Sequence, residues 1–303
     1  MTVNARKPAA NSTEVWTVAR IIDWTTGYLK QHGSDTPRLD AEILLAHTRN
    51  CSRIQLYTRF DEVLTDEERT TMRELVRRRA QAEPVAYLVG HREFFGLDFQ
   101  VTHDVLIPRP DTETLVVELL ELARPLETPR ILDLCTGSGC IAIAATVNLP
   151  AATLVATDIS PAALAVAREN AGRHQVTDRI AFLEGDLFAP VGETELFDFV
   201  VSNPPYIPTD DLDKLDADVR LHEPRGALDG GPDGLRFVRQ VIEQAPRHLR
   251  PGGWILVEID CTQPDLALDA VNAIPGYQNA RIIKDLAGRP RVVLAQRGDE
   301  TGE

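Results

Sequence analysis

Long apolar runs are missing from this chain. Stretches such as Ile141–Val147 and Ile255–Ile259 fall far short of the ~20 residues that span a bilayer. Residues Met1 to Thr13 contain no apolar segment of the kind that directs secretion. The expectation is a protein with no membrane partner. Cysteine is scarce as well. Cys51, Cys135, Cys140 and Cys261 are the four present, none at C-x-x-C spacing and none in a His/Cys cluster. A disulfide scaffold and a zinc site are therefore not expected, and a reduced, cytoplasmic compartment is. Positive charge is in deficit, with 32 Lys and Arg against 46 Asp and Glu and a net charge of −14. Nonspecific grip on duplex DNA draws on a basic stripe, so no direct nucleic-acid binding is expected. The one dense basic run, Arg77 to Arg79, reads as a solvated helix end. With 26% charged residues, 20 Pro and 19 Gly, collagen-like and fully disordered readings are excluded.

What is there suits a globular protein of two domains: 303 residues, 43% of them apolar. Val15, Val18, Ile22 and Leu29 recur at helical spacing. Pro37 sits at the first position of a second helix, with Leu39, Ile43 and Ala46 on one face. Thr65 and Glu68 match a capping box ahead of Met72, Leu75 and Val76. Residues 1–82 read as a small helical bundle. In residues 83–110, Glu83-Pro84 breaks the helix, Leu97, Phe99 and Val101 alternate, and Gly96 suits a turn. That segment reads as a β-hairpin linker. Beyond it, over 111–303, strand candidates at Arg130–Leu134, Thr153–Thr157, Ile180–Leu183, Phe197–Val201 and Trp254–Ile259 alternate with helices such as Pro161–Arg173 after a Ser160 cap. Such alternation implies an α/β fold with a mainly parallel sheet covered on both faces. The closely spaced pair Ala280–Lys284 and Arg291–Ala295 fits a final edge hairpin.

Four signals carry chemistry. The loop Cys135-Thr136-Gly137-Ser138-Gly139 follows a strand and precedes a helix, where glycines let backbone N–H groups approach a ligand. Asp158 ends the next strand, placed to accept from ribose hydroxyls. Together they read as a site for a nucleoside-containing cofactor, with NAD and S-adenosylmethionine both open. After the third strand, Asp186 offers an acceptor for an adenine amino group, and Leu187 a surface for its ring. After the fourth stands Asn203-Pro204-Pro205-Tyr206. The prolines stiffen this turn. The Asn203 amide oxygen and the Pro204 carbonyl are two acceptors for a planar –NH₂ group, beside the aromatic face of Tyr206.

The glycine loop followed by Asn-Pro-Pro-Tyr resembles the class I S-adenosylmethionine-dependent methyltransferases that act on planar nitrogens. The segments 83–90, 92–96 and 107–113, then Glu223-Pro224 through Leu235, and Lys284 through Arg289 resemble the PrmC/HemK family of peptide chain release factor N5-glutamine methyltransferases. That resemblance implies a Rossmann-like, seven-stranded catalytic domain behind a helical domain that recognises release factors. It implies methylation of the glutamine in their Gly-Gly-Gln motif, with S-adenosylmethionine as donor and bacterial class I release factors as partners, and no metal. Cys135 to Gly139, Asp158, Asp186, Leu187 and Asn203 are implied to line the cofactor. Asn203, Pro204, Pro205 and Tyr206 are implied to hold the substrate glutamine, with Asn203, Pro204 and Tyr206 catalytic. A ribosomal-protein glutamine methyltransferase and, further off, a DNA adenine-N6 methyltransferase are the alternatives. This sequence has Cys135 where many members have Gly, and Asp260 where Gly often follows Glu-Ile.

Overall fold

The computed structural model describes residues 15–298. The chain divides into two compact units after Val89. The first comprises α1 (Val18–Gln31), α2 (Pro37–Thr48), α3 (Arg53–Tyr57), α4 (Asp66–Arg79) and α5 (Val85–Val89). Thr17 caps α1 through the Arg20 amide, Pro37 opens α2, and Thr65 and Glu68 form the reciprocal capping box on α4. Three local expectations are corrected. Val15 precedes α1 and is exposed. The buried face of α2 runs through Ala41, Leu44, Leu45 and the expected Ala46, whereas Ile43 is only half-buried and Leu39 is exposed. The arginine run is a solvated helix end at Arg77, whose side chain is 55% exposed, but not at Arg79, which is 12% exposed. Arg77 pairs with Glu74 and Arg78 with Glu83, and Arg79 donates to buried Asp40 at 2.8 Å. Asp40 also accepts from Ser34 and Thr36, so this buried carboxylate is fully held and Arg79 neutralises it.

The second unit opens with a tight hairpin. Strands β1 (His91–Phe94) and β2 (Leu97–Gln100) pair antiparallel across Phe95-Gly96, both at positive φ; such two-residue turns match the twist of the strands. The segment 83–110 is thus not one linker: α5 closes the first unit, and the hairpin packs into the second. Phe94 and Phe99, at 1% and 0% exposure, lie in the same apolar cluster as Leu115, Leu119, Ile141 and Ala171.

The remaining elements are α6 (Glu113–Ala123), β3 (Arg130–Leu134), α7 (Cys140–Asn148), β4 (Thr153–Asp158), α8 (Pro161–Arg173), β5 (Ile180–Glu184), β6 (Phe197–Ser202), α9 (Ala217–His222), α10 (Arg236–Gln244), β7 (Leu249–Glu258), α11 (Pro264–Asn272), β8 (Tyr277–Lys284) and β9 (Pro290–Arg297). Seven strands form one sheet in the order β5-β4-β3-β6-β7-β9-β8. β9, inserted between β7 and β8, alone runs against the direction of the other six strands. Strand β7 begins at Leu249 rather than Trp254, entering through Pro251-Gly252-Gly253. Its central strands are apolar on both faces, and each face carries its own buried cluster, as a sheet covered on both sides requires. Strand order reverses beside β3. The carboxyl ends of β3 and β6 are tied there by Ser202 Oγ donating to the Leu134 carbonyl at 2.8 Å. Ligands of open α/β sheets collect at such a reversal.

Candidate active site

A cleft of about 1130 Å³, part of it open to solvent, lies at these carboxyl ends. The loop after β3 forms its floor. Cys135 and Gly137 adopt positive φ of 59° and 55°, and Gly139 stands at 80°. A non-glycine residue pays strain at Cys135. Gly139 is also boxed in: a Cβ would stand 3.0 Å from Ile143 and 3.2 Å from Ala167. Around Gly137 a Cβ would meet nothing within 4 Å.

Two carboxylates brace this loop. Asp133, fully buried, accepts from the Thr136 hydroxyl at 2.6 Å. Burial pushes its pKa up to about 7. Asp158 accepts from the Gly137 amide at 2.8 Å through one oxygen and from the Ser160 amide at 2.9 Å through the other. Burial raises its pKa too, with these amides opposing. Asp158 lines the cleft, and with the Gly137, Ser160 and Ile159 amides on it the carboxylate still has acceptor capacity for a ribose hydroxyl. Asn170, on α8, donates to the Ser138 carbonyl at 2.9 Å and exchanges hydrogen bonds with the main chain of Gln100, so one side chain locks the loop to the hairpin. Asp186 and Leu187 flank the next wall, Leu187 at φ 48°. Cys135 and Cys140 face the cleft as well. Burial raises both thiols, Cys140 to about 12, which disfavours the reactive thiolate.

Asn203 and Pro205 line the opposite side. Asn203 Nδ2 donates to Thr112 Oγ1 at 3.1 Å. Among the described residues, neither Asn203 Oδ1 nor the Pro204 carbonyl receives a protein hydrogen bond. Tyr206 departs from expectation. It does not line the cleft; its hydroxyl turns inward and donates to Glu258 Oε1 at 3.1 Å. The turn is zipped onto residues 228–234. The Ile207 amide donates to Leu228, the Gly230 amide to Ile207, and the Thr209 amide to Gly231. Gln263 Nε2 donates to the Tyr206 carbonyl at 2.9 Å. Gly230 and Gly234 are obligatory: a Cβ on Gly230 would stand 2.7 Å from Tyr206 Cα, and one on Gly234 2.2 Å from the Tyr206 carbonyl oxygen.

Sequence reasoning assigned no role to several of these residues. Glu258 carries a carboxylate in the apolar run of β7 and is 1% exposed; burial pushes its pKa up to about 7, with the hydroxyls of Thr112 and Tyr206 and the charge of Arg291 opposing. A charged residue inside an apolar strand was the available signal. Glu223 accepts from Arg109 at 2.5 Å and from the Ile107 amide at 3.3 Å, binding the cleft wall at Pro108 to that at Pro224. Asp111 is gripped by Arg289 at 3.3 Å and Arg291 at 2.7 Å. Segments far apart in the chain thus converge on Thr112 and Asn203. Among the described residues, no group of three or more His, Cys, Asp or Glu is placed to hold a metal ion.

A seven-stranded sheet with an inserted antiparallel strand, a glycine loop braced by an acid and an Asn-Pro-Pro-Tyr turn facing it define a class I S-adenosylmethionine-dependent methyltransferase. The comparisons agree. Residues 20–90 match the PrmC N-terminal domain and residues 110–221 the methyltransferase small domain. The release factor glutamine methyltransferase of Rhodopirellula baltica is 42% identical over 93% of this chain and 97% of its own. That of Geobacter sulfurreducens is 46% identical over 94% and 98%. The fold alone is shared with the hMettl16 catalytic domain in complex with MAT2A 3'UTR hairpin 6, at a TM-score of 0.54 and 18% identity over 76% of this chain and 84% of that one. The chain belongs to the release factor glutamine methyltransferase family.

Proposed function

We propose that this protein transfers the methyl group of S-adenosylmethionine to the side-chain amide nitrogen of the Gly-Gly-Gln glutamine in bacterial class I release factors. The observation that carries the reading is Asn203, which lines the cleft with Nδ2 spent on Thr112 and, among the described residues, Oδ1 free of protein donors; the Pro204 carbonyl, next in the turn, also receives none, although Pro204 itself is buried and does not line the cleft. The family supports the substrate.

The cleft fits the donor. Gly137 leaves open space where a side chain would intrude, and Asp158 keeps acceptor capacity. Cys135, Thr136, Gly137, Ser138 and Gly139 would border its amino-acid part, Asp158 its ribose, and Asp186 and Leu187 its adenine. When bound, the sulfonium would supply an electrophilic methyl group, its S–CH₃ bond breaking to leave the neutral thioether S-adenosylhomocysteine while the methylated amide nitrogen gives up one proton to solvent. The protein's task is to make a poor nucleophile attack it. An amide nitrogen is weak because its lone pair is delocalised. Donating its two N–H groups to Asn203 and Pro204 returns electron density to nitrogen and fixes the approach, and positioning of this kind supplies several kcal/mol. Pro205 and the Pro204 ring keep the acceptors from turning. Tyr206 serves as the turn's inward anchor on Glu258, not as a face for substrate.

Residues 15–89 are read as the release factor recognition domain. No helix among the described residues is long and apolar enough to cross a membrane. A translation factor as substrate places the work in the cytoplasm and requires no direct nucleic-acid contact. The test offers labelled S-adenosylmethionine with an intact release factor, the same factor with its glutamine replaced, a ribosomal protein and duplex DNA. Label on the intact factor alone is expected. Label on the ribosomal protein or DNA would overturn the substrate assignment.

A further inference from the structure

We propose that Thr112, itself oriented by Glu258, is the positioning residue that decides which end of the Asn203 amide faces the cleft. This rests on the reading of Asn203 as an acceptor for the substrate amide. A primary amide is nearly symmetric in shape, and half a turn about its last bond exchanges oxygen for –NH₂. The exchange matters. With oxygen toward the cleft, Asn203 receives the substrate N–H. With –NH₂ toward the cleft, donor meets donor.

Thr112 alone does not fix the choice, because a hydroxyl both donates and accepts. Its surroundings do. Glu258 Oε1 already receives the Tyr206 hydroxyl at 3.1 Å, while Oε2 is buried without a partner. The Thr112 hydroxyl lies beside this carboxylate and is itself 1% exposed. The unpartnered Oε2 is the acceptor that the Thr112 hydroxyl has beside it, and an ionised carboxylate only accepts, so once Glu258 is ionised it draws the Thr112 hydrogen and the Thr112 oxygen is left as an acceptor. Asn203 must present Nδ2 to it, at 3.1 Å, and Oδ1 to the cleft. The neighbouring Asp111 is pinned by Arg289 and Arg291, so Thr112 does not drift from its place.

The experiment uses the full chain, with labelled methyl transfer to a release factor and cofactor affinity by calorimetry. Thr112→Val keeps the shape and removes the hydroxyl. Its kcat is expected to fall ~10–100-fold, the scale of one lost orienting contact, with cofactor Kd within about twofold of the parent. Retained cofactor binding shows that the variant folds. Thr112→Ser, which restores the hydroxyl, is expected to recover most of that turnover. Thr112→Val at the parent rate, Thr112→Ser as slow as Thr112→Val, or cofactor affinity falling in step with kcat would each overturn the proposal. A parent protein that leaves the release factor unlabelled would instead strike the substrate assignment, and this inference with it.

Discussion

Gly234→Ala tests how tightly the substrate turn is set. The added Cβ would stand 2.2 Å from the Tyr206 carbonyl oxygen and 2.5 Å from Gln263 Nε2. Ordinary contact begins at about 3.4 Å, so one partner must retreat by about 1 Å. Gly234 also sits at φ 75°, where a side chain costs roughly 1–2 kcal/mol. The Gln263 to Tyr206 hydrogen bond, at 2.9 Å, lies directly in the way and contributes about another 1 kcal/mol. Stability is therefore expected to drop by about 2–3 kcal/mol, read as a lower denaturation midpoint. Turnover should suffer more. Tyr206 follows Pro204 and Pro205 in a stiff turn, so a 1 Å displacement is passed to the acceptors, and misplacement on that scale costs about 10²-fold. The floor of the cleft is built by β3 and β4 and should keep its cofactor affinity. Single-turnover methyl transfer beside calorimetric cofactor binding separates the two. A variant with unchanged kcat and midpoint would refute the reasoning, because it would mean that the turn is not held by this contact.

The other expectations are briefer. Asn203→Ala should lower kcat by about 10²-fold with little change in cofactor Kd, and equal losses in both would remove its assigned role. Asp158→Ala should weaken cofactor binding by about 2 kcal/mol or more, since it loses both the ribose acceptor and the Gly137 brace; unchanged affinity in a calorimetric titration would contradict this. Phe99→Ala should cost about 3–5 kcal/mol in chemical denaturation of the second unit, and a neutral result would show that the hairpin is not part of that core. Turnover should rise as pH climbs through about 7, where Glu258 ionises among Tyr206, Thr112, Arg291, Asp111 and Cys140. Asp133 ionises in the same range, but beneath the cofactor loop, so it should appear in cofactor affinity rather than kcat. Because the folded pKa of Glu258 is raised, its contribution to stability is full below about 4.5 and lost as pH rises through 7. Glu258→Gln should flatten both curves, and an unchanged kcat profile would assign the limb elsewhere.

Strands and motifs were legible because both announce themselves locally. A buried parallel strand is a short apolar run whatever surrounds it, and Asn203-Pro204-Pro205 is rigid by its own covalent structure. The acid after β4 and the glycine loop follow from the same local logic. What the sequence did not show depends on tertiary partners. The face of α2 is set by what packs against it, and the expected and observed apolar sets overlap at Ala46. Arg78 and Arg79 look like part of a surface run until Glu83 and Asp40 are brought beside them. Tyr206 was read as a surface for substrate because aromatic rings often serve so; only the position of Glu258, 52 residues on, shows that its hydroxyl is spent inside. The hairpin read as a linker because its pattern is that of two short strands, and nothing local says which unit receives Phe94 and Phe99.

The placement of β9 bears on how the molecule is made. This last strand fills the slot between β7 and β8 and carries Arg291 to Asp111. While the chain is being synthesised, the helices of residues 15–89 emerge first and can fold as a unit. The sheet cannot. Until residues 290–297 arrive, Trp254 to Glu258 have no partner on one edge, and Thr112 lacks the clasp beside it. Synthesis must therefore reach β9 before the sheet beside the catalytic centre is complete. A transcript truncated before Pro290 yields the helical unit followed by an open-edged, aggregation-prone sheet.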